Sequence, residues 1–329
     1  MKIFITGATG YVGHQLALAL AQQGNCVHAL VRNPGSDRIP RHDNIKLFVG
    51  DVTNRNTLTP AISGCDVVYH TAAFVGLWAK EAAIFYEVNV EGTRNVLETA
   101  LEQGIKKIVY TSSCGVMGPS LHEPRSESDP RITGFDNDYE LSKFMAENLV
   151  KEFNQRGLPG IIVCPSKVFG PGNDEHTFTL NKVIKNFIRG RITFIPGPGR
   201  IVANYCFIND VVQGHILAMH NGIAGEKYIL GGENVSYLNL FKAIRLLSGT
   251  KAMLVETPIS LVKIWAGLQW LLNKISNKKI LYTTKNVHHF FCNKAYSSKK
   301  AIHQLGYRPV SLEEGLLQTI QFLNKKCHA

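Results

Sequence analysis

Three side chains in this sequence have the types and spacing needed to move a proton on or off a carbonyl oxygen. Tyr139-Glu140-Leu141-Ser142-Lys143 sets a phenol and an ammonium four residues apart, on one face of a helix. A free phenol titrates near ~10, too high to trade protons readily at neutral pH, and an adjacent cation lowers that value. Ser113 closes Thr111-Ser112-Ser113, directly after a strand-like run that starts at Lys107. In parallel sheets the C-terminal strand ends bind ligands, so a serine hydroxyl there can hold a carbonyl oxygen while Tyr139 supplies or removes the proton. Tyr-x-x-x-Lys recurs often by chance, and it is the strand and helix around this one that single it out.

The elements that position these groups start at the first residues. Thr6-Gly7-Ala8-Thr9-Gly10-Tyr11-Val12-Gly13 lies between the strand-like Lys2-Ile3-Phe4-Ile5 and a helical run. Glycines at 7, 10 and 13 suit a tight turn, close approach of backbone to a pyrophosphate, and close helix–strand packing. The helix N-terminus would present free N–H groups and partial positive charge to the phosphates. A bound dinucleotide is the expectation, and its oxidised nicotinamide ring would further favour the phenolate of Tyr139.

Arg32 follows Ala29-Leu30-Val31 at the end of the second strand, with Arg38 nearby. An acidic residue at that point would bind both ribose hydroxyls and favour NAD(H). A guanidinium, with no carboxylate to repel it, suits the 2′-phosphate of NADP(H). NADP(H) is therefore the expected cofactor and NAD(H) the alternative. Gly50-Asp51-Val52 follows the third strand, where Asp51 can accept from an adenine amino group or cap a helix from Thr53 onward. Thr71-Ala72-Ala73 follows the fourth strand and is small enough to let backbone approach the cofactor.

Strand-like runs at Lys2–Thr6, Cys26–Val31, Ile45–Phe48, Val67–His70, Lys107–Thr111 and Gly160–Cys164 alternate with helical patterns at Gly13–Gln23, Arg55–Ile62, Ala82–Gln103 and Asp138–Arg156. This rhythm predicts an α/β fold: a Rossmann-type, doubly wound parallel sheet with a smaller C-terminal substrate lobe. The expected division is 1–165 for the dinucleotide-binding domain and 166–329 for the lobe, which lends one or two elements back to the main sheet. Glycine and proline cluster at 170–172 and 196–199, followed by short strands at Tyr205–Ile208 and Lys227–Leu230 and a last helix at Leu312–Asn324.

The 329 residues are 45% hydrophobic, enough for a substantial core. The net charge of +11 carries no helix-turn-helix, zinc-finger or RNA-binding motif, so a solvated basic face is expected rather than nucleic acid. The seven scattered cysteines form no Cys-x-x-Cys pair, which argues for reduced thiols in the cytoplasm and against a disulfide framework. No metal site is expected, and His288-His289 reads as a surface or lid pair. The chain enters a strand at once, so no signal peptide is expected. Ile259 to Leu272 is too short, and too interrupted by Lys263 and Gln269, to span a bilayer. It reads as an amphipathic helix over a pocket. The alternative is a helix lying on a membrane surface, supplied with charge by Lys274, Lys278 and Lys279 across 259–279.

With these motifs the chain resembles the extended short-chain dehydrogenase/reductase (NAD-dependent epimerase/dehydratase) family. TGATGYVG (6–13), GDV (50–52), HTAA (70–73), VNVEGTRNVL (88–97), YTSS (110–113), YELSK (139–143) and PSKVFGPG (165–172) stand in family order. FINDVVQGH (207–215) and EKYILGGEN (226–234) continue it, and within the family the dihydroflavonol 4-reductase-like and hopanoid-associated sugar epimerase-like groups are most similar. The resemblance implies Tyr139 as acid/base, Lys143 as its partner and ribose ligand, and Ser113 as the orienting hydroxyl. It further implies Asn89 as a structural or relay residue, Pro165 to Val168 beside the nicotinamide, and a homodimer through the Tyr-Lys helix. Ala203 and Cys164 stand where sugar-nucleotide epimerases carry arginines. The expected activity is thus an NADP(H)-dependent oxidoreductase acting on a carbonyl or secondary alcohol of a small apolar substrate, with Phe74, Leu77, Trp78, Trp265 and Trp270 as lid candidates. An NAD-dependent sugar epimerase or dehydratase is the alternative, and a non-catalytic dinucleotide sensor, which typically lacks the Tyr/Lys pair, comes third.

Overall fold

The computed structural model describes residues 1–172, 180–197, 199–276 and 287–328. Strand β1 (Lys2–Thr6) leads through helix α1 (Tyr11–Gln22) to β2 (Cys26–Val31) and β3 (Ile45–Val49). Short α2 (Thr59–Ile62) precedes β4 (Val67–His70), α3 (Ala83–Tyr86) and α4 (Gly92–Glu102) precede β5 (Lys107–Thr111), and α5 (Asp138–Gln155) precedes β6 (Gly160–Pro165). Next come β7 (Lys167–Phe169), α6 (Leu180–Ile188), β8 (Thr193–Pro196), β9 (Val202–Phe207), α7 (Ile208–Asn221) and β10 (Lys227–Leu230). The chain continues through β11 (Glu233–Ser236), α8 (Tyr237–Ser248), β12 (Leu254–Thr257), α9 (Ile259–Ser276), α10 (Lys299–Leu305) and α11 (Leu312–His328).

Seven parallel strands form the main sheet in the order β10-β6-β5-β4-β1-β2-β3. The chain winds outward from β1 to β3, then returns to the other side of β1 at β4, which makes a switch point between β1 and β4. Alternation in the strands supplies both faces. Phe4, Val68, Ile108 and Ile162 pack with Val96, Leu97, Ala146, Val150 and Phe153 of α4 and α5. Ile3, Ile5, Tyr69, Val109 and Val163 pack with Leu16 and Leu20 of α1 and with Val211, Val212 and Ile216 of α7. Continuous apolar strands are thus covered on both sides.

Strand β10 returns from the C-terminal half to pair with β6, Lys227 beside Ile162. It is the edge of the sheet, and Glu127 Oε1 accepts from its outward Ile229 N–H at 2.7 Å. Two small sheets, β11-β9-β7 and β12-β8, were not legible as such: the sequence reading had β9 as Tyr205–Ile208, whereas it covers Val202–Phe207 and Ile208 opens α7. A second correction concerns Ala82–Gln103, read as one helix but interrupted by a turn of π-helix at Glu87–Glu91. Helix α9 buries Ala266 and leaves Leu261, Ile264, Trp265 and Leu268 between 47 and 61% exposed, so its apolar stripe faces outward. The Trp270, His288 and His289 side chains and Lys278 and Lys279 fall outside the described residues. No described helix is long and apolar enough to cross a membrane.

Asn204 ties together the segments of the C-terminal half. Ser166 Oγ–H donates to its Oδ1 at 2.6 Å and the Gly232 amide at 3.0 Å, while its Nδ2 donates to Gly232 O and Asn234 Oδ1, both at 2.9 Å. Asn204→Ala strands several buried polar groups at once. The expected loss is about 3 kcal/mol in urea unfolding; a loss under about 1 kcal/mol would remove Asn204 from this role.

Candidate active site

The glycine turn closes one side of the switch point. Gly7 has φ of +73°, and a Cβ there would lie 2.6 Å from the Ala72 amide nitrogen. A Cβ on Gly13 would collide with the Gly7 carbonyl, so α1 packs directly on the turn. Gly10, in contrast, is exposed and caps α1 with no side-chain hydrogen bond, and the first turn holds no acidic residue. That helix end fits an anionic pyrophosphate. The Tyr11 hydroxyl is already engaged: it donates to Gly170 O at 2.7 Å and lies 3.2 Å from the Asn181 Nδ2 donor, tying the turn to the loop after β7. Thr9, Val12 and Ala73 are half-buried around the same end of the sheet.

Arg32 is 81% exposed in its side chain, and its Nε lies 4.0 Å from Asp51 Oδ2. The sequence reading set no carboxylate against Arg32; the fold does, because β2 and β3 are neighbours that end together at Val31 and Val49. Asp51 Oδ1 accepts from the Thr53 amide and hydroxyl, both at 2.9 Å, and so closes a turn rather than capping a helix. The short helical turn at Arg55–Thr57 is capped by Asn54 instead. Val52 is buried beneath α4, where its carbonyl accepts from Asn95 at 2.9 Å.

A buried polar chain links the turn to the next helix. Thr93 Oγ–H donates to Asn89 O at 2.6 Å, so its oxygen accepts from His70 Nε2–H at 2.9 Å. His70 Nδ1 is then the acceptor for Thr6 Oγ–H at 2.7 Å, and Thr6 Oγ1 accepts from Ala72 N–H at 3.2 Å. Thr71 Oγ–H donates to Thr6 O at 2.7 Å. Asn89, in the π turn, accepts from Phe74 N–H at 2.7 Å and donates to Ser142 Oγ at 2.9 Å. Ser142 Oγ–H in turn donates to Tyr139 O at 3.0 Å, which carries the chain into α5. Extra turns of this kind collect at functional sites because they re-aim a side chain.

Helix α5 starts where Asn137 Oδ1 accepts from Glu140 N–H at 2.9 Å, with Asp138 and Glu140 complementing the helix dipole. Ser113 Oγ accepts from Gly115 N–H at 3.2 Å, which sets its hydroxyl beside the Tyr139 phenol. Burial pushes the Tyr139 phenol up to about 12, against the Ser113 hydrogen bond and with a further push from Glu140. The expected lowering by Lys143 does not prevail. Lys143 is 2% exposed, donates to Thr111 O at 2.6 Å and sits 4.2 Å over the Tyr110 ring. Burial lowers its own ammonium to about 7, and the Glu147 carboxylate opposes that shift.

Ser113, Tyr139 and Lys143 thus meet at the C-terminal end of β5. Pro165 ends β6 opposite Leu230, and Val168 packs against the cores of both halves. Sequence reasoning missed two carboxylates on α5. Glu140 is held by Arg131 at 2.8 Å, with Lys294 3.7 Å away; Glu147 pairs with Lys227. Glu147 carried a signal in its spacing, four residues after Lys143.

Burial lowers His70 from its ordinary 6.5 to about 3, helped by the Lys143 charge, and lowers His215 to about 4. Both are neutral when folded and take up a proton on unfolding below pH 6.5, so stability falls as pH drops from 6.5 toward 4. Each should contribute about 1.4 kcal/mol per pH unit in that window. Urea unfolding at pH 7 and 5 measures the slope, and a non-titrating His70→Gln protein should show a shallower one; equal slopes would contradict a neutral, buried His70.

The sequence model of the "NAD dependent epimerase/dehydratase family" matches residues 3–231. A 3-beta-hydroxysteroid dehydrogenase of Mycolicibacterium neoaurum is 29% identical over 95% of this chain and 88% of its own length. A putative dihydroflavonol 4-reductase of Synechocystis sp. is 31% identical over 97% of this chain and 93% of its own. Among solved structures, gox2253 superposes with a TM-score of 0.83 at 31% identity, covering 98% of both chains. A UDP-glucose 4-epimerase from Thermotoga maritima reaches 0.82 at 22% identity over 99% of this chain and 100% of that one, a likeness of fold alone. With its parallel sheet, its glycine turn at the switch point and its Ser-Tyr-Lys group, the chain belongs to the NAD-dependent epimerase/dehydratase family and is an enzyme of the extended short-chain dehydrogenase/reductases.

Proposed function

We propose that the enzyme is an NADP(H)-dependent oxidoreductase acting on a carbonyl or secondary alcohol of a small, apolar compound, in the manner of a dihydroflavonol reductase or hydroxysteroid dehydrogenase. The observation that carries this reading is the buried Lys143 of α5, one helical turn from Tyr139, donating to Thr111 O at 2.6 Å at the strand end that leads to Ser113. The dinucleotide, when bound, supplies or takes up the hydride. The glycine turn and α1 hold its pyrophosphate, Arg32 its 2′-phosphate, Asp51 its adenine, and Pro165 to Val168 flank its nicotinamide end.

Ser113 Oγ–H orients the substrate oxygen, and Tyr139 transfers the proton. A phenol held near 12 is protonated at neutral pH, which is the form that donates to a carbonyl oxygen in the reducing direction. Lys143, held near 7, binds ribose hydroxyls and acts as the phenol's charge partner. The names of the relatives, a steroid dehydrogenase and a flavonol reductase, support an apolar substrate. So does the edge-to-face Phe74–Phe85 pair, with ring centroids 4.9 Å apart, beside Asn89. Ala203 and Cys164, 1% and 0% exposed, leave no arginine at either position for a sugar-nucleotide pyrophosphate. Phe144 and Met145, 38% and 39% exposed on α5, support a homodimer through that helix.

Tyr139→Phe should lower NADPH oxidation with apolar carbonyl compounds about a thousandfold while cofactor binding persists. Unchanged turnover would sink the acid/base assignment. Arg32→Ser removes a charged hydrogen-bond donor and should weaken NADPH about tenfold with NADH unaffected. Fluorescence titration reads both affinities, and an equal loss for the two cofactors would return the preference to NAD(H). Retained NAD in the denatured protein would instead favour the epimerase.

A further inference from the structure

Lys143 and Glu147 sit one turn apart on α5, buried to 2% and 1% exposure, and each grips the end of β5. Lys143 Nζ donates to Thr111 O at 2.6 Å; the next residue, Ser112, donates through Oγ–H to Glu147 Oε1, also at 2.6 Å. The residue after that is Ser113. The second carboxylate oxygen of Glu147 is paired with Lys227 Nζ from β10, the strand returning out of the C-terminal half. We propose that Glu147 is a positioning residue for Lys143 and Ser113, its carboxylate pinned between Ser112 and Lys227.

The groups facing Lys143 come from four elements besides its own helix. Tyr139 and Glu147 share α5; His70 lies on β4, Tyr110 on β5 and Cys164 on β6, with Lys227 of β10 behind Glu147. His70 is neutral, and the Tyr110 and Cys164 protons are held on by burial, while Glu147 is the carboxylate of this set and is ion-paired with Lys227. A buried carboxylate stays ionised only when paired, and Lys227 provides the pairing. Cys164 Sγ, 3.7 Å from Glu147 Oε1, adds a weak donor. The charge of Lys143 is thereby supported through a contact made by a strand from the C-terminal half.

This inference rests on the oxidoreductase reading for the use made of Lys143, but its test needs no turnover. The Lys143 side-chain resonance in ¹³C-lysine-labelled protein, assigned by its absence in Lys143→Met, is titrated in the parent, Glu147→Gln and Glu147→Gln/Lys227→Met. Loss of the carboxylate should lower the midpoint by about one pH unit. The shift should be larger in the single variant, where Lys227 remains an unbalanced cation, and smaller but still present in the double variant, whose fold is relieved of that cation. Where activity is measurable, the alkaline limb of the pH–rate profile should move to lower pH in the same order. A stably folded double variant with the parent's Lys143 midpoint and pH profile would overturn the proposal and leave Glu147 a packing residue. Absence of carbonyl reduction in the parent would instead count against the oxidoreductase reading while the titration still decides the role of Glu147.

Discussion

A neutral histidine with no exposed surface, His70, sets the geometry on which the site depends. It lies on β4 at the switch point, where β1 and β4 part and a crevice must open. A charged side chain there would have to surrender its hydration, whereas a neutral imidazole offers one donor and one acceptor in opposite directions. Thr93 fixes which nitrogen carries the proton, and that choice fixes the Thr6 hydroxyl, which in turn receives the Ala72 amide. The glycine turn is therefore aligned by a chain of buried hydrogen bonds with a defined direction. Such a chain is stable only when every member is satisfied.

The far end of that chain is α5, and α5 carries more than Tyr139 and Lys143. Asn89 reaches Ser142, one residue before Lys143, so the π turn and α5 are locked in register. Glu140 lies between Tyr139 and Lys143 and Glu147 one turn beyond, each buried and each matched by cations from other segments: Arg131 and Lys294 for one, Lys227 for the other. Buried ion pairs of this kind add little net stability, because desolvation offsets attraction. Their effect is positional. They hold the helix at one rotation and give the phenol and ammonium an electrostatic setting that differs from water.

Much of this was legible in the residues, for identifiable reasons. Parallel strands covered on both faces must read as apolar runs, so β1, β2, β4 and β5 matched the strand runs read from sequence residue for residue. Glycines at 7 and 13 are demanded by contacts a Cβ would violate, so a sequence pattern and a steric fact coincide. The Tyr139 titration was not legible. Spacing showed that Lys143 shares its helix face, but not that Thr111 O and the Tyr110 ring engage the ammonium while burial governs the phenol. The approach of Asp51 to Arg32 was likewise hidden, since it follows from the pairing of β2 with β3 rather than from either motif.

The C-terminal half resisted reading because its local signals are short and its pairings distant. Strands of three to six residues, at 167–169, 202–207 and 233–236, form one sheet across stretches of unrelated chain. No periodicity extends over so few residues, and no turn motif announces a parallel neighbour thirty-odd positions away. What holds them is polar and specific: Asn204 gathers Ser166, Gly232 and Asn234, and Lys294 is bridged to Ala203 while facing Glu140. Lys294, with Lys227 of β10, also reaches α5. The C-terminal half must present Lys227 and Lys294 to α5, because the carboxylates they face are buried there.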